Sequence, residues 1–373
     1  MNFKELTNYL DNLEKIGIPY NDLSIHIGGK EIYRNFCGIS DTEKNKKVDN
    51  TDVYWLYSTS KVLICTAVMR LYSENKLDID DNVSKYLPYF KYITVNGVEN
   101  RRPPKREVTI RDLMAMKSGL DYDLKTAHLE KVLNETDGNT QAVCEAISKR
   151  GFLFDPGEHF NYSLSHDILG AVIEVASGKK LGEYLDEIIF TPLDMKTFKF
   201  GHKADFDKIA DQYYYDPYFE KSVKTVKNNM YVLSENYESG GAGLIGSTDD
   251  YLKFADVLCR GGTSKDGYKL IDEESIKKLT ENQMTTDVLL SDFKNMKQGG
   301  YGYALGVRVM IEEGRPSPKG EFGWDSAAGA WVLIDRENDL TAFYAQHVLD
   351  CGIVYSTIHH EIKRLIYEGL KEN

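Results

Sequence analysis

Three short stretches of this chain carry side chains whose types and spacing can do chemistry. In Tyr57-Ser58-Thr59-Ser60-Lys61 a serine and a lysine stand three apart, so on a helix they share one face. A serine hydroxyl is a weak nucleophile until a neighbour takes its proton. A lysine can take it once burial disfavours the charged amine, and a helix N-terminus adds N–H groups that help hold an oxyanion. Taken alone, the tetrapeptide reads more simply as an N-capping serine beside a solvated lysine. The second stretch runs from Pro156-Gly157 to Tyr162-Ser163 and into a helical pattern. A phenol beside a cation can shuttle protons, although a tyrosine that packs a loop gives the same pattern. The third, Gly320 to Ala330, sets glycines and alanines around Trp324-Asp325-Ser326. Small residues let backbone approach a ligand, and a strand-edge N–H could complete an oxyanion hole. A glycine-bearing β-turn is the plainer reading.

The elements that must position these groups follow from periodicity. Val62 to Met69, behind Lys61, is apolar nearly all the way round, so its helix is expected to be buried. Phe3, Leu6, Leu10, Leu13 and Ile16 mark a first helix, and two alternating runs around Gly28-Gly29-Lys30 mark a hairpin. Near the other end, 303–311, 330–334 and 340–345 read as three strands. A last helix carries Tyr355, Ile358, Ile362, Leu365, Ile366 and Leu370. Helical patterns fill the middle, at 109–114, 140–149, 164–176 and 249–259, and polar linker candidates lie at 96–106 and 287–300. Strands at both ends and helices between them predict an α/β (α+β) fold. One antiparallel sheet is built from both termini and flanked by helices, with a large mainly helical insertion. The expected division is a discontinuous sheet domain, 1–76 with 300–373, and a helical domain, 77–299, with the active site between them.

The 373 residues carry 58 acidic and 46 basic side chains, a net charge of -12, which argues against nucleic acid as the main partner. Five scattered cysteines without a Cys-x-x-Cys pair fit a reducing compartment better than a disulfide framework. Acidic residues interrupt the N-terminal apolar pattern, so a secretory signal is not indicated, and no stretch reaches membrane-spanning length. A cytoplasmic protein without membrane partners is expected; its oligomeric state is open.

In this order, the three stretches resemble the serine β-lactamase and penicillin-binding-protein superfamily, for which Ser-x-x-Lys is a signature. The resemblance is nearest to class C β-lactamase-related hydrolases, especially the family VIII carboxylesterases. It extends through Thr109-Ile110-Arg111-Asp112-Leu113, Ser118-Gly119-Leu120, Gly241-Ala242-Gly243-Leu244, Ser247-Thr248, Asp250-Tyr251, Asp335 and Gln346. It implies a β-lactamase/transpeptidase-like fold and cofactor-free, metal-free acyl transfer. Ser58 would be the nucleophile, Lys61 and Tyr162 would share the general-base role, and the N–H groups of Ser58 and Ala327 would form the oxyanion hole. Free Lys and Tyr both titrate near pH 10, so such a pair is expected to titrate as a coupled unit.

Departures from the family pattern bear on substrate. Leu164 stands where antibiotic-recognising members carry an amide, and Trp324-Asp325-Ser326 stands where they carry Lys-Thr-Gly. An indole cannot pair with a substrate carboxylate, and an ionised Asp325 aimed into the site would repel one. The substrate is therefore expected to be a small ester or amide, with esterase preferred over β-lactamase or D-amino-acid peptidase. A catalytically silent ligand-binding relative is the alternative of another class. Trp324, Asp325, Ser326, Leu164 and Tyr213 are the substrate-contact candidates, Tyr213 from an aromatic run that either walls the pocket or packs the insertion.

Other patterns are set aside. Gly241-Ala242-Gly243-Leu244-Ile245-Gly246 satisfies G-x-G-x-x-G but follows no strand; Ser247 with Asp250 reads as a capping box. His359-His360 lacks zinc-helix spacing and is expected to be solvated. Asp167, which recurs in the esterase-like subgroup, is expected to tie down the Tyr162 loop. Cys65 lies within the apolar run and reads as inert packing.

Overall fold

The structure, a computed structural model, describes residues 1–96, 101–296 and 299–371. Its centre is an eight-stranded antiparallel sheet drawn from both ends of the chain. The strands are β1 (Tyr20–Ile27), β2 (Lys30–Asp41), β3 (Lys46–Lys47), β4 (Tyr301–Tyr303), β5 (Arg308–Met310), β6 (Phe322–Asp325), β7 (Trp331–Asp335) and β8 (Leu340–Ala345). Their spatial order is β4-β5-β6-β7-β8-β1-β2-β3. The seam between the two ends is the β1–β8 pairing, where Leu23 faces Tyr344 and Ile25 faces Ala342. Gly28 and Gly29 turn the β1–β2 hairpin with φ of +58° and +63°, the left-handed pair that a two-residue hairpin turn requires.

Both faces of the sheet are covered. Helix α1 (Lys4–Asp11) is followed by α2 (Ser60–Ser73), α3 (Ser165–Ser177), α4 (Thr248–Cys259) and α5 (His359–Lys371). Tyr251 of α4 stacks on Phe343 at 4.3 Å, whereas the next residue, Tyr344, meets His359 of α5. Adjacent strand residues point to opposite faces, so α4 and α5 cover opposite sides. Helix α2 is sequestered as its sequence predicts, with Lys61 to Met69 all fully buried, packed on α3 and β6. Burying a leucine or isoleucine contributes about 1.5–3 kcal/mol, so the apolar run fixes α2 firmly.

Several sequence readings are corrected. The apolar run 303–311 is no single strand. It folds back between β4 and β5 at Gly306, whose φ is +88° and where a Cβ would lie 2.4 Å from Cys65 Sγ. The linker candidate 287–300 begins as a helix, Asp287–Lys294, capped by Thr286 and anchored by buried Leu289 and Phe293. Residues 297 and 298 of that candidate, and 97–100 of the other, lie outside the described residues. The central region also holds short strands, among them Gln212–Asp216 and Leu244–Gly246, the latter paired with Tyr54–Trp55. Ser247 does cap α4, accepting from Asp250 N–H at 3.3 Å. The reciprocal half of the expected box is missing, because the Asp250 carboxylate instead accepts from Thr197 N–H and hydroxyl.

Candidate active site

Ser58 sits two residues ahead of α2, in the 3-10 turn Tyr57–Thr59 rather than in the helix itself. The turn is entered through Tyr57, a non-glycine residue at φ +43°. A left-handed conformation costs about 1–2 kcal/mol for such a residue. The buried ring of Tyr57 holds it, bonding Gln212 Oε1 at 2.9 Å and packing edge-on against Tyr231. The approach to the turn is fixed too. His347 Nε2 accepts from Trp55 N–H at 2.7 Å while its Nδ1 faces Ala210 O at 3.2 Å. Burial pushes the His347 imidazole down to about 4, so it is neutral and able to accept.

Lys61 is completely buried one turn on. Its Nζ lies 2.6 Å from Gly241 O, 3.2 Å from Ser58 Oγ and 3.4 Å from Tyr122 OH. Three oxygens thus surround the buried amine within hydrogen-bond reach, and each can accept one of its N–H groups. Underneath, His166 Nε2 faces Met114 O at 3.1 Å. Burial, reinforced by Lys61, pushes the His166 imidazole down to about 3, so it is neutral. Burial likewise pushes the Cys65 thiol far above its ordinary value, which leaves it a packing group.

Tyr162 shares the Ser58 site but does not place its hydroxyl on the lysine in this arrangement. Lys61 Nζ lies over the Tyr162 ring, 4.9 Å from its centroid. The Tyr162 oxygen accepts from Trp324 Nε1 at 3.0 Å. Tyr122 stacks on Tyr162 with centroids 5.6 Å apart and meets Tyr231 edge-on. Burial first, then the neighbouring Tyr162 and Asp167, raise the Tyr122 phenol well above its usual range, so it stays a neutral hydroxyl.

Ser58 opens into a cavity of about 540 Å³ walled by Tyr122, Tyr162, Tyr231, Trp324, Tyr355 and Met296. Asp325, Ser326 and Ala327 complete one side. The turn that carries these three is pinned by Tyr355, whose hydroxyl lies 2.7 Å from Ser326 O and 2.8 Å from Ala327 O. Ser58 and Ala327 thus border one cavity, with Ala327 exposed at its edge. The Asp325 carboxylate is engaged by the buried Arg308 at 2.8 Å, so it does not present an unbalanced charge to the cavity.

Two substrate-contact candidates fall elsewhere. Leu164, 1% exposed, lies in the core where α3 begins, and Tyr213 packs against Tyr20 within the strand Gln212–Asp216. Among the described residues that line the cavity, neither appears. Leu164 is directed inward because the helix that follows Tyr162 needs an apolar face there. Tyr213 is held by pairing on both sides of its strand. Tyr122, Tyr231 and Tyr355 take the wall positions; the only sequence signal for Tyr122 is its place two residues beyond Ser118-Gly119-Leu120. Asp167 does not tie down the Tyr162 loop; its side chain accepts from Tyr237 and Ser239 hydroxyls, at 2.6 Å each. His359 is buried against Gly329 O at 2.9 Å, contrary to the expected solvated face, because α5 turns it under β7. Among the described residues, no group of three or more His, Cys, Asp or Glu is arranged to hold a metal ion.

A sheet joined from both chain ends, with a serine–lysine pair at its helical partner, defines a β-lactamase/transpeptidase-like protein. The Beta-lactamase family model matches residues 22–349, and the chain belongs to that family. Protein Rv1367c of Mycobacterium tuberculosis is 24% identical over 335 residues, 86% of this chain and 83% of that protein. Esterase EstB of Burkholderia gladioli is 28% identical over 258 residues, 62% of this chain and 63% of its own. Among solved structures, EstCE1, described as a hydrolase with promiscuous acyltransferase activity, superposes with a TM-score of 0.81 at 22% identity, covering 98% of both chains. Simvastatin synthase LovD of Aspergillus terreus does so at 0.84 and 17%, covering both chains fully. No helix of the described residues is long and apolar enough to cross a membrane.

Proposed function

We propose that this protein is a serine hydrolase that cleaves a small ester, or less readily an amide, through an acyl-Ser58 intermediate, and that it is a carboxylesterase. The observation that carries the reading is the buried Lys61 Nζ, 3.2 Å from Ser58 Oγ, which lines a cavity rich in aromatic rings. Ser58 Oγ attacks the substrate carbonyl as its proton passes to Lys61 and Tyr162, which share the role of base. The N–H groups of Ser58 and Ala327 stabilise the oxyanion. The tetrahedral adduct collapses, the leaving alcohol takes the proton, and water then releases the acid from Ser58.

The wall argues for a neutral ester over a β-lactam or a D-amino-acid peptide. Trp324 offers an indole N–H to Tyr162 in place of a cation for a substrate carboxylate, and Arg308 is spent on Asp325. EstB carries the name esterase, which agrees with this preference. EstCE1 is described as having promiscuous acyltransferase activity, so an alcohol that replaces water in the second step belongs in the test. The test is intact-mass detection of acylation by a p-nitrophenyl ester, a chromogenic cephalosporin and a fluorophosphonate, on wild type and Ser58→Ala. Adducts on wild type alone, with ester turnover dominant, are expected. A wild type that forms no adduct would be a silent relative, and rapid cephalosporin turnover with little esterase activity would overturn the ester preference.

A further inference from the structure

We propose that Asp167 is the positioning residue of the Ser58–Lys61 pair, acting through the Gly241 peptide; this rests on the acyl-Ser58 reading. Asp167 is buried at 2% exposure on α3, away from the cavity wall. Its Oδ1 accepts from three donors of one turn: Tyr237 OH at 2.6 Å, Ser239 OH at 2.6 Å and Gly241 N–H at the longer 3.4 Å. The Ser239 oxygen in turn accepts from Ala242 N–H at 3.1 Å, and Asn229 Nδ2 donates to Ala242 O at 2.7 Å. The carbonyl of the same residue, Gly241, is the nearest partner of Lys61, at 2.6 Å.

The glycines allow this closure. A Cβ on Gly240 would lie 2.2 Å from His166 O, and one on Gly241 would lie 2.5 Å from Asp167 Oδ2. This gives the Gly-Ala-Gly run a reason that no nucleotide site supplies. The turn then continues into Leu244, which receives Leu56 N–H on its carbonyl at 3.0 Å and donates its own N–H to Ser60 Oγ at 3.3 Å. One segment therefore grips the lysine and the nucleophile turn together.

The consequence is directional. A carbonyl oxygen can only accept, so Gly241 O holds one Lys61 N–H whether the lysine carries two hydrogens or three. When Lys61 gives up a proton, its lone pair is left facing the Ser58 or Tyr122 hydroxyl. If the Gly241 peptide drifts, that lone pair loses its aim, and a small misplacement at the reacting atoms is felt strongly in the chemical step. Because Asp167 stays off the cavity wall, substrate binding is not its concern. The signature is a loss in kcat at nearly constant KM.

The experiment is steady-state ester hydrolysis combined with fluorophosphonate titration of Ser58, which counts competent sites, on Asp167→Ala and Asp167→Asn. Expected for Asp167→Ala is a kcat lower by about 100-fold per titrated site, with KM within about threefold. Asp167→Asn keeps an acceptor oxygen and is expected to recover about a tenfold part of that loss. If Asp167→Ala fails to fold, the double variant Tyr237→Phe, Ser239→Ala releases the turn from the same carboxylate and is expected to lose kcat alone. Full kcat per site in the folded Asp167→Ala variant, or a loss explained entirely by fewer titratable sites, overturns the proposal while leaving the acyl-Ser58 reading intact. Absence of any Ser58 adduct in the wild type overturns both.

Discussion

Trp324 Nε1 donates to the Tyr162 hydroxyl oxygen across 3.0 Å, which joins the wall of the cavity to the phenol proposed to share the role of base for Ser58. That bond fixes where the phenol oxygen sits beside the Ser58 site. The indole also tilts against the phenol, with centroids 5.6 Å apart, so its shape and its donor act on the same partner. Trp324→Phe keeps most of the wall and removes the donor. A fall in kcat/KM of about tenfold is expected, the worth of a single hydrogen bond. Trp324→Lys should lose ester turnover and gain affinity for a carboxylate-bearing cephalosporin, read by competition against ester hydrolysis.

Tyr355 should act through the turn it holds. Tyr355→Phe frees the carbonyls of Ser326 and Ala327, and with them the peptide that presents Ala327 N–H. An oxyanion donor is worth roughly 100-fold or more in kcat. Loosening one without deleting it is expected to lower kcat about tenfold, with little change in melting temperature. An unchanged kcat would mean that the turn is set by its own bonds, such as Ser326 N–H to Ala330 O at 2.7 Å.

Acid should destabilise the fold between about pH 6.5 and pH 4. Three buried histidines are held neutral, His166 at about 3 and His347 and His359 at about 4. For each, burial is the leading cause. Unfolded, a histidine takes a proton near 6.5, so the unfolded state binds more protons as pH falls below that value. Stability present above pH 6.5 is therefore lost on acidification, by about 3 kcal/mol per histidine once pH 4 is reached. Asp22 opposes this trend. Burial raises its carboxyl to about 7, so its contribution is greatest in acid and is lost as pH rises from about 4 to 7. Three groups outweigh one, and the urea midpoint is expected to drop from pH 7 to pH 5. His347→Gln should flatten the slope. A midpoint that rises toward pH 5 would show Asp22 dominating instead.

Gly306 should tolerate no side chain. Its φ of +88° and the 2.4 Å that would separate an added Cβ from Cys65 Sγ combine backbone strain with overpacking of α2. Gly306→Ala is expected to lower unfolding free energy by about 3 kcal/mol, measured by urea denaturation. Pairing it with Cys65→Ala should recover part of that loss, because the steric half of the penalty is shared between the two sites.

Ser58, Lys61, Tyr162 and the Trp324 turn are legible in the sequence because each lies in a short local pattern: a turn before an apolar helix, a Pro-Gly turn, a glycine-bracketed strand end. The helices near 110, 140 and 248 are legible for the same reason, with capping residues Thr109, Asn139 and Ser247 and 3.6-residue spacing together, and the one near 165 by its spacing alone. The 303–311 run misleads because hydrophobicity alone does not say where an apolar segment reverses; a glycine packed on a distant cysteine decides that. Leu164 and Tyr213 fall outside the pocket because their direction depends on what the neighbouring helix and strands bury.

The sequence by itself determined that a buried helix would follow a serine and a lysine one turn apart, since hydrophobic periodicity and backbone propensity act over a few residues. Only the tertiary structure decided which oxygens surround that lysine and which aromatic rings face the serine. Tyr122, Tyr231 and Gly241 come from loops and turns, and Tyr355 from the helical segment Val354–Ile358, with no shared period. They gather around Ser58 and Lys61 because β1 pairs with β8 and because one buried carboxylate, Asp167, closes the 237–242 turn onto the lysine. Those contacts depend on long-range pairing and on close packing, which no local window contains.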